Sequence, residues 1–372
     1  MIYKCDEYEV VVNEIKESNK NIVIYGAGMI GQIIIPYLIQ EYQLFDNVLY
    51  FIDADEKKQG MTITIGNREY SVCSPDVLQK LPDNTVIFLT NSNYYPVVKM
   101  FDEISKLDET ECYIIPMIQV IKSQNNYRKH DNRLCSEQMI PKKIHYCWFS
   151  RNPIPDYLMK CIESWHKFCP DYEIIRWDED NYDVNSNLYM KQAYEAKKWG
   201  FVPDVARLDI LYRYGGIYID TDVELIRNLD DLLYQTAFVG VEKWGNINMG
   251  GCSGAVPHHP MIKKMLDYRI DEHFILEDGS YNQTTCGYYE TNPLIKCGMK
   301  PDNTTQIIND MTIYSSDFFH PYDYMSGETT ITENTFSVHH FNGGWLDTDK
   351  YDERKKTVEL YKEMMGRCRC RQ

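Results

Sequence analysis

The 372-residue sequence lacks what a polyanion or a bilayer would need from it. Lysine and arginine number 39 against 55 aspartates and glutamates, a formal net charge of −16, so no basic face is available for nucleic acid. Any phosphate-bearing ligand therefore requires a local arginine or a bound cation to offset the repulsion. No apolar run approaches the roughly 20 residues of a membrane-spanning helix, and the opening MIYKCDEYEV lacks the basic-then-apolar order of a secretory leader. The expected location is cytoplasmic, with at most a peripheral contact at the inner face of a membrane. The twelve cysteines have no regular spacing, and the chain is long enough to bury a core without staples, so reduced thiols are expected. Cys368 and Cys370, one residue apart near the end, supply half a metal site at best and read as exposed tail. Internal repeats and low-complexity segments are also missing.

What is present is an alternation of apolar strands with helical stretches, which predicts an α/β protein. Residues 1–20 read as an amphipathic helix. Asn21–Tyr25 reads as a strand, followed by Gly26, Gly28 and Gly31 in G-x-G-x-x-G spacing and a helix to about Tyr42. A second strand, Val48–Ile52, ends in Asp53, about twenty residues past the glycines, where a dinucleotide-binding fold places its ribose-binding acid. A short helix over 74–81, a strand Thr85–Leu89, a helix over 95–106 and a strand over 112–115 complete a small Rossmann-like domain, residues 1–122. Gly26, Gly28, Gly31 and Asp53 are its candidate nucleotide site, although glycines suit any tight strand-to-helix turn. Residues 123–138 are polar and aperiodic, as in a linker. A second domain, 139–365, opens with a strand over 144–148, a helix over 156–169 and a strand over 172–177, and 366–372 form a tail.

The second domain is organised around PDVARLDILYRYGGIYIDTD, residues 203–222. Pro203 suits the first position of a helix, and Gly215-Gly216 suits its end, where a positive φ is needed. A short strand follows and leads into Asp220-Thr221-Asp222. Residues two apart in an extended chain point the same way, so Asp220 and Asp222 are expected to converge on one hard cation. Asp204 and Arg207, three apart, share a helix face and bring a carboxylate and a guanidinium to the same end of the sheet. An Asp-x-Asp pair alone is weak, since surface turns contain it often. A helix-borne Asp and Arg are equally compatible with a cap and a surface cation. Trp148 is compatible with a core position.

Together, Asp204-Val-Ala-Arg207, Leu211 and Gly215-Gly-Ile-Tyr-Ile-Asp220-Thr-Asp222 resemble the DXD sugar-binding signature of glycosyltransferase family 32, of the capsular-polysaccharide type and related to clostridial glucosylating toxins. IPKKIHYCWF, residues 140–149, resembles that family's first strand, and VHHFNGGW, residues 338–345, its closing segment. The resemblance covers residues 139–346. It implies a GT-A fold, a nucleotide-sugar donor, Mn²⁺ or Mg²⁺, and retention of anomeric configuration. It further implies that Trp148 stacks on the donor base and that Asp204 and Arg207 hold the transferred sugar. By the same resemblance Tyr218 is expected to line the donor site, Asp222 to ligate the metal, and Asp220 to serve both metal and sugar. The resemblance makes His340 the candidate third metal ligand and Trp345 a lid over the diphosphate. Asn292, in a Thr291-Asn292-Pro293 that resembles a Thr-Gly-Pro turn, reaches the sugar or β-phosphate. Two departures stand out: Asn292 replaces that glycine, and Gly343-Gly344 stand where relatives often carry a serine.

The implied activity is hexosyl transfer, with UDP-hexose preferred, to a glycan or lipid-linked saccharide in surface polysaccharide synthesis. No carboxylate is placed as a nucleophile for double displacement, so same-face attack is the preferred route. Two other activities fit parts of the sequence. Ile217-Tyr-Ile-Asp220-Thr-Asp222-Val223 also fits the strand-DxD nucleophile of haloacid-dehalogenase phosphohydrolases, although that motif normally opens its domain. The glycine turn alone suits an NAD-dependent sugar oxidoreductase or epimerase, but no Tyr-x-x-x-Lys follows it within its domain. A non-enzymatic role for the N-terminal domain is docking to polysaccharide-assembly proteins.

Overall fold

The computed structural model describes residues 1–124, 128–343 and 348–369. The chain divides into two compact units, Met1–Asn126 with Asp323–Glu328 and Asp347–Gln372, and Tyr127–Tyr322 with Thr329–Leu346. The expected boundary at 365 therefore falls elsewhere: the helix Thr348–Arg369 belongs with the first unit and runs into the segment read as a tail.

The first unit is built on a seven-stranded sheet in the order Ile2–Lys4, Glu111–Ile114, Thr85–Leu89, Asn21–Tyr25, Val48–Ile52, Arg68–Cys73, Thr62–Ile65. Every pairing is parallel except the last, a hairpin. The central strands Asn21–Tyr25 and Thr85–Leu89 are apolar and almost wholly buried, as strands covered on both faces must be. The expected helix over 1–20 is a strand followed by the helix Tyr8–Glu17, because Ile2–Lys4 pairs along Glu111–Ile114. The hairpin and the helix Ile115–Gln124, which enters the expected linker, carry no periodicity that singled them out. The described cysteines from Cys73 to Cys297 are free thiols, but Cys5 is disulfide-bonded, which corrects the expectation of reduced thiols at that position.

The second unit holds a mixed sheet in the order Gln306–Ile308, Met311–Tyr314, Ala237–Val241, Ser253–Ala255, Gly216–Tyr218, Lys143–Cys147, Glu173–Trp177. Gly216–Tyr218 runs parallel to Lys143–Cys147, which runs parallel to Glu173–Trp177. A separate ladder pairs Val223–Leu225 antiparallel with Ser337–His339. Both units are thus α/β with parallel-rich sheets, consistent with a GT-A-like fold for the second. Among the described residues no helix is long and apolar enough to cross a membrane.

The helix Pro203–Tyr214 forms as its sequence predicts, with proline in its first turn and Gly215 at its end. Gly215 and Gly216 take φ of +63° and +92°. A Cβ on Gly215 would stand 2.6 Å from Pro257 Cδ, and one on Gly216 3.0 Å from His145 Nε2, so both close approach and positive φ require glycine here. His145, buried at the heart of the Lys143–Cys147 strand, locks this turn. Its Nε2 bonds the Gly215 carbonyl at 2.9 Å, and its Nδ1 accepts the Trp177 indole N–H at 3.1 Å. That pair of partners fixes a neutral tautomer, and burial pushes the imidazole down to about 4.

Candidate functional site

Trp148 directly follows Cys147 and Asp220 lies two residues past Tyr218, so both lie beyond the carboxyl ends of adjacent parallel strands, where open α/β sheets hold their ligands. Trp148 is half-buried, and its indole N–H donates to the Asn152 carbonyl at 2.7 Å, which fixes the ring at that end of the sheet.

The centre of the cluster is Arg207, 3% exposed. Its Nη2 donates to Asp204 Oδ1 at 2.6 Å, as the shared helix face predicts, and its Nη1 lies 3.5 Å from Asp220 Oδ2. Tyr218 joins through its hydroxyl, which donates to Asp220 Oδ1 at 2.8 Å. Arg269 also enters: its guanidinium, fully buried between the rings of Tyr189 and Tyr289, reaches Asp204 Oδ2 at 3.3 Å. Both oxygens of Asp204 are therefore engaged by arginines. Glu290, 1% exposed, places Oε1 3.9 Å from Arg207 Nη1 while its Oε2 accepts the Met249 N–H at 3.0 Å. Burial pushes this carboxyl up to about 7, against the pull of Arg207 and the Met249 amide.

Asp220 and Asp222 are not in an extended segment. The strand ends at Tyr218, and the Val223 N–H bonds the Asp220 carbonyl at 3.1 Å, closing a turn. Period-two alternation therefore fails here: Asp220 faces Arg207, and Asp222 faces the C-terminal ladder strand. Asp222 Oδ1 lies 3.3 Å from His339 Nε2, and its Oδ2 accepts the Asn342 N–H at 2.9 Å. Despite burial, the histidine and that amide hold Asp222 down at about 2 and so ionised, and the carboxylate in turn raises the His339 imidazole. The His339 ring is stacked on Phe341 at 3.9 Å between centroids.

His340, the expected third ligand, points away, with Nε2 3.1 Å from Glu224 Oε2 at the surface. The correction has a simple cause: in a strand, adjacent side chains face opposite sides, and Ser337–His339 places His339 across from Val223. Asn292 is also displaced from its expected role. It sits inside the helix Cys286–Ile295, not in a turn, and its Nδ2 donates to the Tyr288 carbonyl one helical turn back at 2.8 Å. Trp345 lies outside the described residues. Arg269, Glu290 and His339 were missed by sequence reasoning. Strand alternation at the ladder could have found His339, whereas an arginine after a helix and a glutamate inside one carry no distinguishing signal.

No three of the described His, Cys, Asp and Glu side chains converge as a metal cage. Asp222, held ionised beside an imidazole, nevertheless fits a Mg²⁺-type ion, which takes one or two carboxylates and completes its shell with phosphate oxygens and water.

In the first unit, Gly26 takes φ of +112°, and a Cβ on Gly31 would stand 2.1 Å from the Gly26 carbonyl oxygen. Gly28 has nothing within 4 Å of such a Cβ. Asp53 turns inward, where its Oδ2 accepts the Ala27 N–H at 2.7 Å and lies 3.2 Å from Lys58 Nζ. The acid expected to meet a ribose thus closes the glycine turn itself.

Comparison with known proteins places residues 155–239 in a match to the family described as glycosyltransferase sugar-binding region containing DXD motif. Inositol phosphoceramide mannosyltransferases 2 and 3 of Schizosaccharomyces pombe are 31% and 36% identical, over 36% and 34% of this chain. The chain spans only 40% and 36% of those two relatives. An uncharacterized glycosyltransferase of Acanthamoeba polyphaga mimivirus is 29% identical over 49% of this chain and 74% of its own. Asp204, Arg207, Asp220 and Asp222 lie inside the segment matched to the DXD glycosyltransferase family, while Arg269, Glu290 and His339 lie beyond it.

Proposed function

We propose that the protein is a retaining, divalent-cation-dependent hexosyltransferase that moves a sugar from a nucleotide-sugar donor to a glycan or lipid-linked acceptor. The observation that carries this reading is the buried Arg207, bridging Asp204 and Asp220 at the mouth of the Asp-x-Asp turn inside the matched region. Asp222, with His339 beside it, is assigned to hold Mn²⁺ or Mg²⁺, which Asp220 would reach through water; the bound cation would neutralise charge on the departing nucleotide diphosphate. Arg207 supplies fixed positive charge at the same end of the sheet, and its guanidinium geometry suits a phosphate or sugar oxygen. Trp148 offers an aromatic face for the donor base. Donors that stabilise a developing charge commonly contribute about 10²- to 10³-fold to rate. The acceptor hydroxyl is read as attacking the face the nucleotide leaves, which retains configuration.

UDP-hexose remains the preferred donor and surface polysaccharide the preferred product. The names of the similar yeast proteins add mannose and an inositol-phosphoceramide acceptor to what must be tried. The first unit, whose glycine turn is closed by Asp53, is read as a docking module, with the enzyme acting at the inner face of a membrane. The test is a donor-hydrolysis and transfer screen over UDP-glucose, UDP-galactose and GDP-mannose with Mn²⁺, using wild type and Asp222→Asn. Nucleotide release that depends on Mn²⁺ and falls at least about 100-fold in the variant is expected. A near wild-type rate in Asp222→Asn would rule out the metal role. Release of phosphate from p-nitrophenyl phosphate without action on any nucleotide-sugar would establish the phosphohydrolase instead.

A further inference from the structure

Arg207 Nη1 and Glu290 Oε1 are both buried, and neither has a hydrogen-bond partner among the described residues. Each belongs to a side chain otherwise fixed: Arg207 through Asp204, and Glu290 through the Met249 amide. The next residue of that helix repeats the anchorage, since Thr291 Oγ1 accepts the Ile247 N–H at 2.9 Å. The orphaned donor and acceptor stand 3.9 Å apart, too far for a hydrogen bond to each other. That spacing accommodates one oxygen that accepts from the guanidinium and donates to the carboxylate, which is what a hydroxyl does. Gly250 packs directly against this pair, since a Cβ there would stand 1.9 Å from Asp220 Oδ2 and 2.8 Å from Arg207 Nη1, so only a residue without a side chain leaves both groups where they are. Asp204, the expected sugar acceptor, has both oxygens committed to arginines, whereas Glu290 has one to spare.

We propose that Arg207 Nη1 and Glu290 Oε1 together seat one hydroxyl of the transferred hexose, which makes Glu290 a specificity-determining residue. This rests on the transferase reading and deepens it. A site built to bond a hydroxyl rejects the analogue that lacks it far more strongly than an apolar pocket rejects a change of size.

The experiment uses the full chain and the nucleotide-hexose it turns over best, together with the 2-, 3-, 4- and 6-deoxy forms of that donor. Donor affinity by calorimetry and kcat/KM for transfer are read for wild type and Glu290→Gln. In wild type, one deoxy donor is expected to lose at least about 100-fold while the others change little. In Glu290→Gln the parent donor drops toward that level, and the same deoxy change then costs less than about threefold. Glu290→Asp, which keeps the carboxylate but withdraws it by one methylene, replaces Glu290→Gln if the latter does not fold. The seat is overturned if all four deoxy donors stay within about threefold of the parent in wild type, a result that needs no variant. It is also overturned if the deoxy penalty persists undiminished in the variant. If wild type binds no nucleotide-sugar at all, the transferase reading fails and the seat with it, an outcome distinct from a bound parent and indifferent deoxy donors.

Discussion

His339 Nε2 lies 3.3 Å from Asp222 Oδ1, across the ladder that brings the C-terminal strand Ser337–His339 against Val223–Leu225. The contact joins residues more than a hundred positions apart and gives the Asp-x-Asp turn its imidazole. The carboxylate in turn raises the His339 imidazole despite its burial.

Replacing His339 with alanine is therefore expected to weaken Mn²⁺ activation by about 10- to 100-fold, the range typical of groups that orient or complete a metal site. His340→Ala, which removes only an exposed contact to Glu224, should leave it within about twofold. Titration of nucleotide release with Mn²⁺ distinguishes them. Equal losses in both variants would contradict the side-chain placement.

Stability should fall on mild acidification because of His145. Its folded-state value, about 4, lies below the ordinary 6.5, so the unfolded chain binds the proton more readily. The contribution is fully present above pH 6.5 and is lost as pH falls toward 4, a difference of about 3 kcal/mol at most. Urea midpoints measured between pH 7.5 and 4.5 should decline, and the decline should be shallower in His145→Gln. That variant should also be less stable at pH 7.5, because the Gly215 carbonyl and the Trp177 indole N–H lose their shared partner.

Local patterns announced the parts of this site that they alone determine. Pro203 and the Gly215-Gly216 pair bound a helix whose period brings Asp204 to Arg207, and that contact forms as expected. Asn21–Tyr25, Val48–Ile52 and Thr85–Leu89 were legible because buried parallel strands are short apolar runs between turn residues. What was not legible depended on long-range pairing. Choosing between His339 and His340 needs the register of a strand against Val223–Leu225, and Arg269 and Glu290 acquire meaning only when long-range packing brings Arg269 to Asp204 and Glu290 to Arg207. Asn292 carries a turn reading because Thr291-Asn292-Pro293 resembles a Thr-Gly-Pro turn, whereas the Cys286–Ile295 helix accommodates the proline internally.

Arg207→Lys keeps the charge but loses the fork that joins Asp204 and Asp220 and faces the Glu290 oxygen at 3.9 Å. Transfer should fall at least about 100-fold. Arg207→Ala should in addition cost about 3–5 kcal/mol, since it takes the buried guanidinium from Asp220 and leaves Asp204 only Arg269. Chemical denaturation followed by tryptophan fluorescence reads the stability change, and wild-type stability in Arg207→Ala would refute the burial argument.

Asn292→Ala is expected to leave kcat/KM for transfer within about twofold, and to cost about 1 kcal/mol of stability at most, as for a half-buried residue that loses one local side-chain bond. A loss of 100-fold with an unchanged melting temperature would restore the donor-contacting role that its helical position argues against.

The glycine turn of the first unit separates a structural role from a ligand-binding one residue by residue. A Cβ at position 31 would overlap the Gly26 carbonyl, and backbone cannot retreat as a flexible side chain can. Gly31→Ala should therefore destabilise the first unit by about 1–3 kcal/mol through overpacking. Gly28 has open space around its α-carbon, so Gly28→Ala should fold with wild-type stability. If the turn held a nucleotide phosphate, its backbone would have to be approached closely at Gly28, and Gly28→Ala would abolish nucleotide binding without loss of stability. With Asp53 already bonded to the Ala27 amide, the expected result is the other one. Only Gly31→Ala should lower the melting temperature, and calorimetry of the Asp222→Asn chain should show no nucleotide binding that a further Gly28→Ala removes.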